Sequence, residues 1–395
     1  MGLTLQEIQA QIVPQLQTTS DTAALDAQVL LAYVLQKPRS WVIAHPEYII
    51  SDEQYQKIFS ALGRLEHGEP LPYLIGHWEF YGLDFRVTPD VLIPRPETEL
   101  LVERAIGWLQ LNPHKRRVID VGTGSGCIGI AIAIHIPDVQ LLMTDISKPA
   151  LEVTRQNLER HGLAEKVVLR RSDLLSRVKD PFSMDLICAN LPYIPADTVD
   201  SLPVAKNEPR LALDGGPRGL KLIRRLLKEA KGVLDSGGLM LLEIDPSQSK
   251  SIKYLAQQDF PNAKIRILKD LSGRKRCLEV EMNLTIFHLC QRADWLRAQQ
   301  NDEYRAESLM ADGFIHCSIN RQLVDVANRY YQGMPDMVIL AIDPEKLDSE
   351  IRWEKSGGVF YPHIYGPINL EAIVSACDIR PEEDGVYRQI NILTE

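Results

Sequence analysis

The chain has little of what would mark a metal centre, a disulfide scaffold or a membrane segment. Its six cysteines (Cys127, Cys188, Cys277, Cys290, Cys317 and Cys377) are scattered over 395 residues, and no two form a Cys-x-x-Cys pair. That spacing argues against a zinc ribbon or a disulfide framework. It fits a reducing cytosol in which the thiols act as small buried apolar groups, and no metal is expected. No apolar run approaches the roughly 18 residues that a bilayer span requires. The opening segment, Met1-Gly2-Leu3-Thr4-Leu5-Gln6-Glu7, has no basic start and no apolar core. A signal peptide is therefore not expected, and Gln6 stands where a myristoylation signal needs Ser or Thr. A cytoplasmic location is expected. An excess of positive charge is also missing, since the net charge is −9. Residues 283–395 carry 10 Lys/Arg against 18 Asp/Glu, which places −8 of the −9 there. Such a segment lacks the basic balance of a nucleic-acid clamp, and no direct nucleic-acid partner is predicted. No internal repeat or low-complexity tract is present. What remains is a chain of ordinary hydrophobic content, 45%, long enough for two or three domains.

Residues 1–72 read as a small helical bundle. Apolar residues recur at helical spacing over 23–35, where Ser20 or Asp21 offers a cap. A second helix fits 51–66, with Ser51 or Asp52 as cap and Gly68 just past its end. Residues 73–93, rich in aromatic and β-branched side chains broken by Gly and Pro-Asp, read as a hairpin connector. Over 94–282 the pattern alternates. A turn at 94–99 feeds a helix to about residue 111, and strands are expected at 118–121, 141–145, 167–170, 185–189 and 239–244. Helices are expected at 127–135, 149–161 and 220–234. This is the signature of an α/β fold, a Rossmann-like sheet with its ligand at the carboxyl ends of the strands. The pattern restarts over 283–395, with strands at 285–289 and 337–342, the segment 313–318, and helices near Trp295 and over 322–331. That segment reads as a separate α+β domain.

Two motifs carry the chemistry. Asn190-Leu191-Pro192-Tyr193 follows the apolar run 184–189. A carboxamide oxygen and the next backbone carbonyl can both accept hydrogen bonds from a planar NH2 group, while an aromatic walls one face of it. Upstream lies Asp120-Val121-Gly122-Thr123-Gly124-Ser125-Gly126. Together they point to methyl transfer from S-adenosylmethionine to a planar nitrogen. Gly122 and Gly124 would let backbone approach the amino-acid part of the cofactor, and Asp145 would accept from the ribose hydroxyls. Asp173 could accept from the adenine amine, with Leu174 against the ring. Asp173 could equally be a solvated helix cap, the glycine turn a packing device, and Asn190 a turn residue satisfying its own backbone. A nicotinamide dehydrogenase competes, because Gly124-x-Gly126-x-x-Gly129 followed by Asp145 matches the dinucleotide fingerprint. Against it, Asp120 at the strand end would face a cationic ligand better than a pyrophosphate, and a dehydrogenase has no use for the Asn190 motif. An amide nitrogen is a poor nucleophile because its lone pair is delocalised, so orientation and polarisation by neutral acceptors must supply the acceleration.

These residues carry a family resemblance. Residues 1–282 resemble the release-factor glutamine N5-methyltransferases (the HemK/PrmC family) through Gly68-Glu69-Pro70-Leu71-Pro72-Tyr73-Leu74-Ile75-Gly76, Leu92-Ile93-Pro94-Arg95-Pro96-Glu97-Thr98-Glu99 and the two motifs above. The match continues through Asn207-Glu208-Pro209-Arg210-Leu211-Ala212-Leu213-Asp214-Gly215-Gly216 and Gly219-Leu220. The resemblance implies an S-adenosylmethionine-dependent enzyme whose substrate is the glutamine of the Gly-Gly-Gln loop of peptide chain release factors. It implies cofactor contacts from Gly122, Thr123, Gly124, Ser125, Gly126, Asp145, Asp173, Leu174 and Asn190. Substrate contacts would come from Asn190, Leu191, Pro192 and Tyr193, with Asn190 as the catalytic residue. Arg95 and Glu97 would shape the entrance, and the N-terminal helices would dock the release factor. The chain departs from the family at Leu191, where Pro is usual, and at Asp245, where Gly is usual. Asn-Leu-Pro-Tyr also resembles the motif of rRNA adenine dimethyltransferases, so an adenine N6-methyltransferase acting on rRNA or DNA is the alternative. A catalytically quiet cofactor-binding protein, whose role lies in the C-terminal domain, is a third reading.

Residues 285–380 resemble a small bacterial domain family of unknown function, through Ile286-Phe287-His288-Leu289, Gly313-Phe314-Ile315-His316-Cys317-Ser318 and Phe360-Tyr361-Pro362-His363-Ile364-Tyr365-Gly366-Pro367. By fold-level analogy it looks distantly similar to ADP-ribosyltransferases. His288, His316 and His363 are candidates to converge on a nucleotide-like ligand or a metal, with Ser318 and Tyr365 as companions. The alternative is that they are hydrogen-bonded core residues.

Overall fold

A computed structural model describes residues 2–18, 20–178 and 183–390. The chain opens with helices α1 (Leu5–Leu16), α2 (Ala23–Leu35), α3 (Arg39–Ala44), α4 (Asp52–Glu66) and α5 (Leu71–Ile75). Leu5, Ile8, Ile12 and Leu16 recur three or four residues apart and meet Leu30 and Leu31 of α2 and Ile58 and Leu62 of α4 in one core. A capping box starts α4: Gln54 N donates to Ser51 Oγ at 3.2 Å, and Ser51 N donates to Gln54 Oε1 at 3.0 Å. The cap of α2 is Thr22 rather than Ser20 or Asp21. The Ser20 hydroxyl instead accepts Thr22 N at 3.0 Å, a local turn that delays the helix. The hairpin is narrower than the connector expected over 73–93. Residues 73–75 complete α5, and only β1 (His77–Phe80) and β2 (Leu83–Arg86) pair.

The central sheet has seven strands in the order β5-β4-β3-β6-β7-β9-β8. They are β3 (Arg117–Val121), β4 (Gln140–Asp145), β5 (Val167–Arg171), β6 (Met184–Ala189), β7 (Leu234–Glu243), β8 (Lys264–Lys269) and β9 (Lys275–Glu281). The first five are parallel, and β9 runs antiparallel between β7 and β8. Helices cover both faces, so the strands are apolar at successive positions. Val118, Leu186, Leu239 and Leu241 pack on α6 (Glu99–Leu111) and α7 (Cys127–His135). The alternate residues Ile119, Ile187, Met240 and Leu242 pack on α9 (Lys221–Ala230) and α10 (Ser249–Asp259). Helix α8 (Lys148–Arg160) follows β4. The helix expected over 220–234 stops at Ala230, and Leu234 already pairs with Met184 as the start of β7. Gly237, with φ +62°, interrupts the extended conformation of this strand. The elements α10, β8 and β9 complete the sheet over 249–281, a stretch in which no elements were expected.

The C-terminal segment contains β10 (Ile286–Gln291), α11 (Arg292–Ala298), β11 (Glu303–Tyr304), α12 (Glu307–Ala311), β12 (Ile315–His316) and α13 (Leu323–Tyr330). It ends with β13 (Met337–Ile342), β14 (Glu350–Ser356), β15 (Val359–Tyr365), β16 (Ile368–Asn369) and β17 (Ile373–Ile379). Two three-stranded antiparallel sheets, β10-β13-β17 and β12-β15-β14, flank its main core. This segment docks behind the central sheet, at the start of β6. There Arg321 reaches Asp185 at 3.0 Å and Asp235 at 2.8 Å, and Lys115 lies 3.4 Å from Asp185. Trp353 stacks on the His114 ring at 3.6 Å. No described helix is long and apolar enough to cross a membrane.

Candidate active site

A cavity of about 350 Å³ opens at the carboxyl ends of β3, β4 and β6, the place a ligand takes in an open α/β sheet. Gly122, Thr123, Gly124 and Ser125 form one wall. Asp145, Asp173 and Leu174 form a second, and Asn190, Leu191 and Pro192 a third. The glycines are needed for conformation. Gly122 has φ +72°, and a Cβ on it would stand 3.0 Å from Leu191 Cδ2. Gly124 has φ +57° and nothing within 4 Å of its Cβ position, so its backbone is open to an occupant.

Gly126 does not line the cavity. A Cβ there would meet Thr154 at 2.9 Å and Ile130 at 3.0 Å, so this glycine lets α7 pack closely on its neighbours. Asp120 also differs from expectation. It is fully buried, and its Oδ2 accepts the Thr123 hydroxyl at 2.6 Å and Gly129 N at 3.1 Å. It therefore closes the glycine loop from behind rather than facing a ligand. Burial pushes its carboxyl up to about 6, and its Oδ1 has no hydrogen-bond partner.

Asp145 holds the loop in shape by accepting Gly124 N at 3.0 Å and Ser147 N at 2.8 Å. Burial raises its carboxyl despite these bonds. Each oxygen keeps a lone pair for a further donor. Asp173 is paired with Arg225 at 3.2 and 3.0 Å through both carboxylate oxygens. Its pairing partner is thus on α9, a contact that strand-by-strand reading did not anticipate. Leu174 adopts φ +50° beside it.

Asn190 follows β6, and its Nδ2 donates to the Thr98 hydroxyl at 3.1 Å. Leu191 is buried against the glycine loop. Tyr193 lies outside the cavity wall, in a recess of about 630 Å³ shared with Pro195, Arg218 and Gln248. Its hydroxyl donates to Glu243 at 3.3 Å, and burial raises the phenol beyond its ordinary range. Arg95 lines the cavity and pairs with buried Glu208, whose other oxygen accepts Ile93 N at 3.2 Å. Glu97 does not line it and faces Arg276 at 3.5 Å. Thr98, Glu243 and Arg225 were not among the site residues expected from sequence. Thr98 sits inside the 94–99 motif, which was the available signal for it.

Comparison with known proteins follows the same division of the chain. Residues 7–76 match a family described as PrmC N-terminal domain, and residues 97–207 match Methyltransferase small domain. The release factor glutamine methyltransferase of Moorella thermoacetica is 41% identical over 255 residues, 64% of this chain and 89% of that protein. That of Rhodopirellula baltica is 37% identical over 267 residues, 66% of this chain and 90% of that protein. The chain belongs to the release factor glutamine methyltransferase family. Family membership sets aside the dehydrogenase and adenine-methyltransferase readings. It makes the seven-stranded sheet that of an S-adenosylmethionine-dependent methyltransferase.

Residues 289–376 match a different family, described as a protein of unknown function (DUF952). Protein CC0527 from Caulobacter crescentus has a solved structure 32% identical to this region. The match covers 26% of this chain and 91% of that one, with a TM-score of 0.25. The three histidines there do not converge. His288 is a core residue bonded to the His316 carbonyl at 2.7 Å and the Tyr304 hydroxyl at 2.9 Å, and burial lowers its imidazole to about 4. Ser318 is buried and pairs through its backbone with Phe287. His316 and His363 do meet, with ring centres 5.1 Å apart, and Glu354 accepts from His363 at 2.6 Å and from Tyr365 at 3.0 Å. Among the described residues no group of three or more His, Cys, Asp or Glu is arranged to hold a metal.

Proposed function

We propose that this chain methylates the side-chain amide nitrogen of the glutamine in the Gly-Gly-Gln loop of a peptide chain release factor, using S-adenosylmethionine, in the cytoplasm. The observation that carries the reading is the placement of Asn190 on the same cavity as the 122–125 loop and Asp145. A neutral carboxamide acceptor thus stands beside an open glycine backbone and a carboxylate with spare lone pairs.

The residues present suit this cofactor. Gly124 leaves its backbone bare, Asp145 can accept two hydroxyls, and Leu174 offers an apolar surface for a purine. Bound there, the cofactor supplies an electrophilic methyl group on a positively charged sulfur. The protein supplies position and polarity. Asn190 Oδ1 accepts one N–H of the glutamine amide, and the Leu191 carbonyl accepts the other. Both acceptors raise electron density on the nitrogen and aim its lone pair at the methyl carbon. Methyl transfer to the amide would place positive charge on its nitrogen. The same two oxygens would stabilise that charge. The surplus proton would pass to solvent water after transfer, so no strong base is required. Leu191 serves where Pro is usual because the acceptor is the backbone carbonyl, and its side chain packs on Gly122. The N-terminal helices dock the release factor.

Incubation with the cofactor and a release factor, followed by peptide mass spectrometry, tests this. One added methyl on the Gly-Gly-Gln glutamine is expected. Its absence, or transfer to adenine in rRNA, overturns the proposal.

A further inference from the structure

Asn190 can act as an acceptor only if its carboxamide stands one way round. Its oxygen and nitrogen are nearly the same size, so packing alone does not choose between them. The choice must come from a partner whose own polarity is set.

Such a partner is present. Thr98 is 2% exposed and donates its only hydroxyl proton to Glu243 Oε2 at 2.5 Å. Having spent that proton, its oxygen can only accept, and it accepts Asn190 Nδ2 at 3.1 Å. Asn190 Oδ1 receives no donor among the described residues and is the atom left for the cavity. Glu243 is held on its other side by the Tyr193 hydroxyl at 3.3 Å. The arrangement is built into the sheet: Ala189 pairs with Leu242, so Asn190 and Glu243 leave adjacent strands side by side. Thr98 arrives from the turn Pro96–Thr98 before α6 to close the chain.

We propose that Thr98 and Glu243 are positioning residues whose hydrogen-bond chain locks the Asn190 carboxamide with its oxygen toward the substrate amide. The inference rests on the reading of Asn190 given above. Reversing the chain inverts its output. A protonated Glu243 could donate to Thr98, Thr98 could then donate to Asn190 Oδ1, and the NH2 would turn into the cavity against the substrate's NH2. Burial raises the Glu243 carboxyl, opposed by the Thr98 and Tyr193 bonds and by Arg276 from β9, while Glu97 adds to the rise. The neighbouring thiols of Cys127 and Cys277 are themselves raised by burial and stay neutral. Reversal is therefore an acid-side event.

The test uses the full chain with S-adenosylmethionine and a release factor, in single-turnover and steady-state assays. Thr98→Val removes the hydroxyl at nearly constant volume. It should lower kcat about ten- to hundredfold, the factor that corresponds to losing one or two oriented bonds. Cofactor affinity and the KM for release factor should stay within about threefold. Thr98→Ser, which keeps the hydroxyl, should recover most of the loss. Unchanged kcat in Thr98→Val, or a Ser variant as impaired as Val, overturns the proposal. Asn190→Ala separates the two levels. If it stays active, the reading of Asn190 fails and takes the relay with it. If it is inactive while Thr98→Val is fully active, the relay alone fails. A second measurement covers a Thr98→Val chain that does not fold: kcat of the wild type should fall toward acid pH, and Glu243→Gln should remove that limb. An acid limb that survives in Glu243→Gln overturns the proposal.

Discussion

Arg321→Met should destabilise the protein without touching the cavity, and its magnitude can be worked from the contacts. Arg321 belongs to the C-terminal segment but ends between two carboxylates of the central sheet, Asp185 at 3.0 Å and Asp235 at 2.8 Å. Asp185 is 0% exposed and Asp235 6%. Deleting one partner of a buried pair leaves a desolvated charge, which costs about 3–5 kcal/mol. Asp185 keeps Lys115 at 3.4 Å and the amides of Arg116 and Arg117 at 2.9 Å. Asp235 keeps the Ser236 amide at 2.9 Å. The lower end, about 3 kcal/mol, is therefore expected. At about 2–4 °C per kcal/mol for units of this size, Tm should fall on the order of 6–12 °C. The pH dependence follows in sign. Burial acts to raise the Asp185 carboxyl, but Lys115 and Arg321 outweigh it and hold the group below its ordinary value. A carboxyl depressed in the fold contributes stability above the unfolded value, near 3.9, and loses it as pH falls through the folded one. The gap between wild type and variant should thus be full at neutral pH and close in acid. Urea unfolding across pH measures it. A loss under about 1 kcal/mol at pH 7, or no recovery when Asp235→Asn is added to Arg321→Met, would refute the argument.

Three further outcomes follow from the same geometry. A chain ending near residue 282 should keep methyl transfer but unfold at lower temperature, because Asp185, Asp235 and His114 lose Arg321 and Trp353; differential scanning calorimetry and a transfer assay read both parts. Gly122→Ala adds a methyl 3.0 Å from Leu191 at φ +72°. It should weaken cofactor binding about tenfold and cost about 1–2 kcal/mol of stability, measurable by calorimetric titration and urea unfolding. Asp120→Asn should keep the Thr123 and Gly129 bonds through its own oxygen while removing a buried charge. The folded carboxyl is raised to about 6, so the wild type should lose stability relative to the variant as pH rises from about 4 to 6. A wild-type-minus-variant difference that does not change over that range would remove the basis for this prediction.

Local pattern made much of this protein legible. The strands β3, β4, β6 and β7 are continuous apolar runs because both faces are covered, and that same continuity placed Gly122, Asp145 and Asn190 at one edge. Belonging to a motif does not make a residue face the ligand: Asp120 sits on the strand and points behind the loop, while Gly126 is already the N-cap of α7 and serves close packing. The edge strand β8 is charged and largely unburied, and β9 inside it mixes buried Glu279 with apolar neighbours, so neither reads as a continuous apolar run.

The sequence by itself determined the kind of fold, the glycine-built cavity edge and the carboxamide at the end of β6, because strand period, turn chemistry and a short motif are local properties. Only the tertiary structure decided what stands behind them. Thr98 lies 92 residues from Asn190 in the chain, yet sets its orientation. Arg225 claims Asp173 from 52 residues away. Arg321 ties the C-terminal segment to the start of β6 across 136 residues. Such contacts depend on which strands lie side by side, a global outcome of packing that no local pattern encodes.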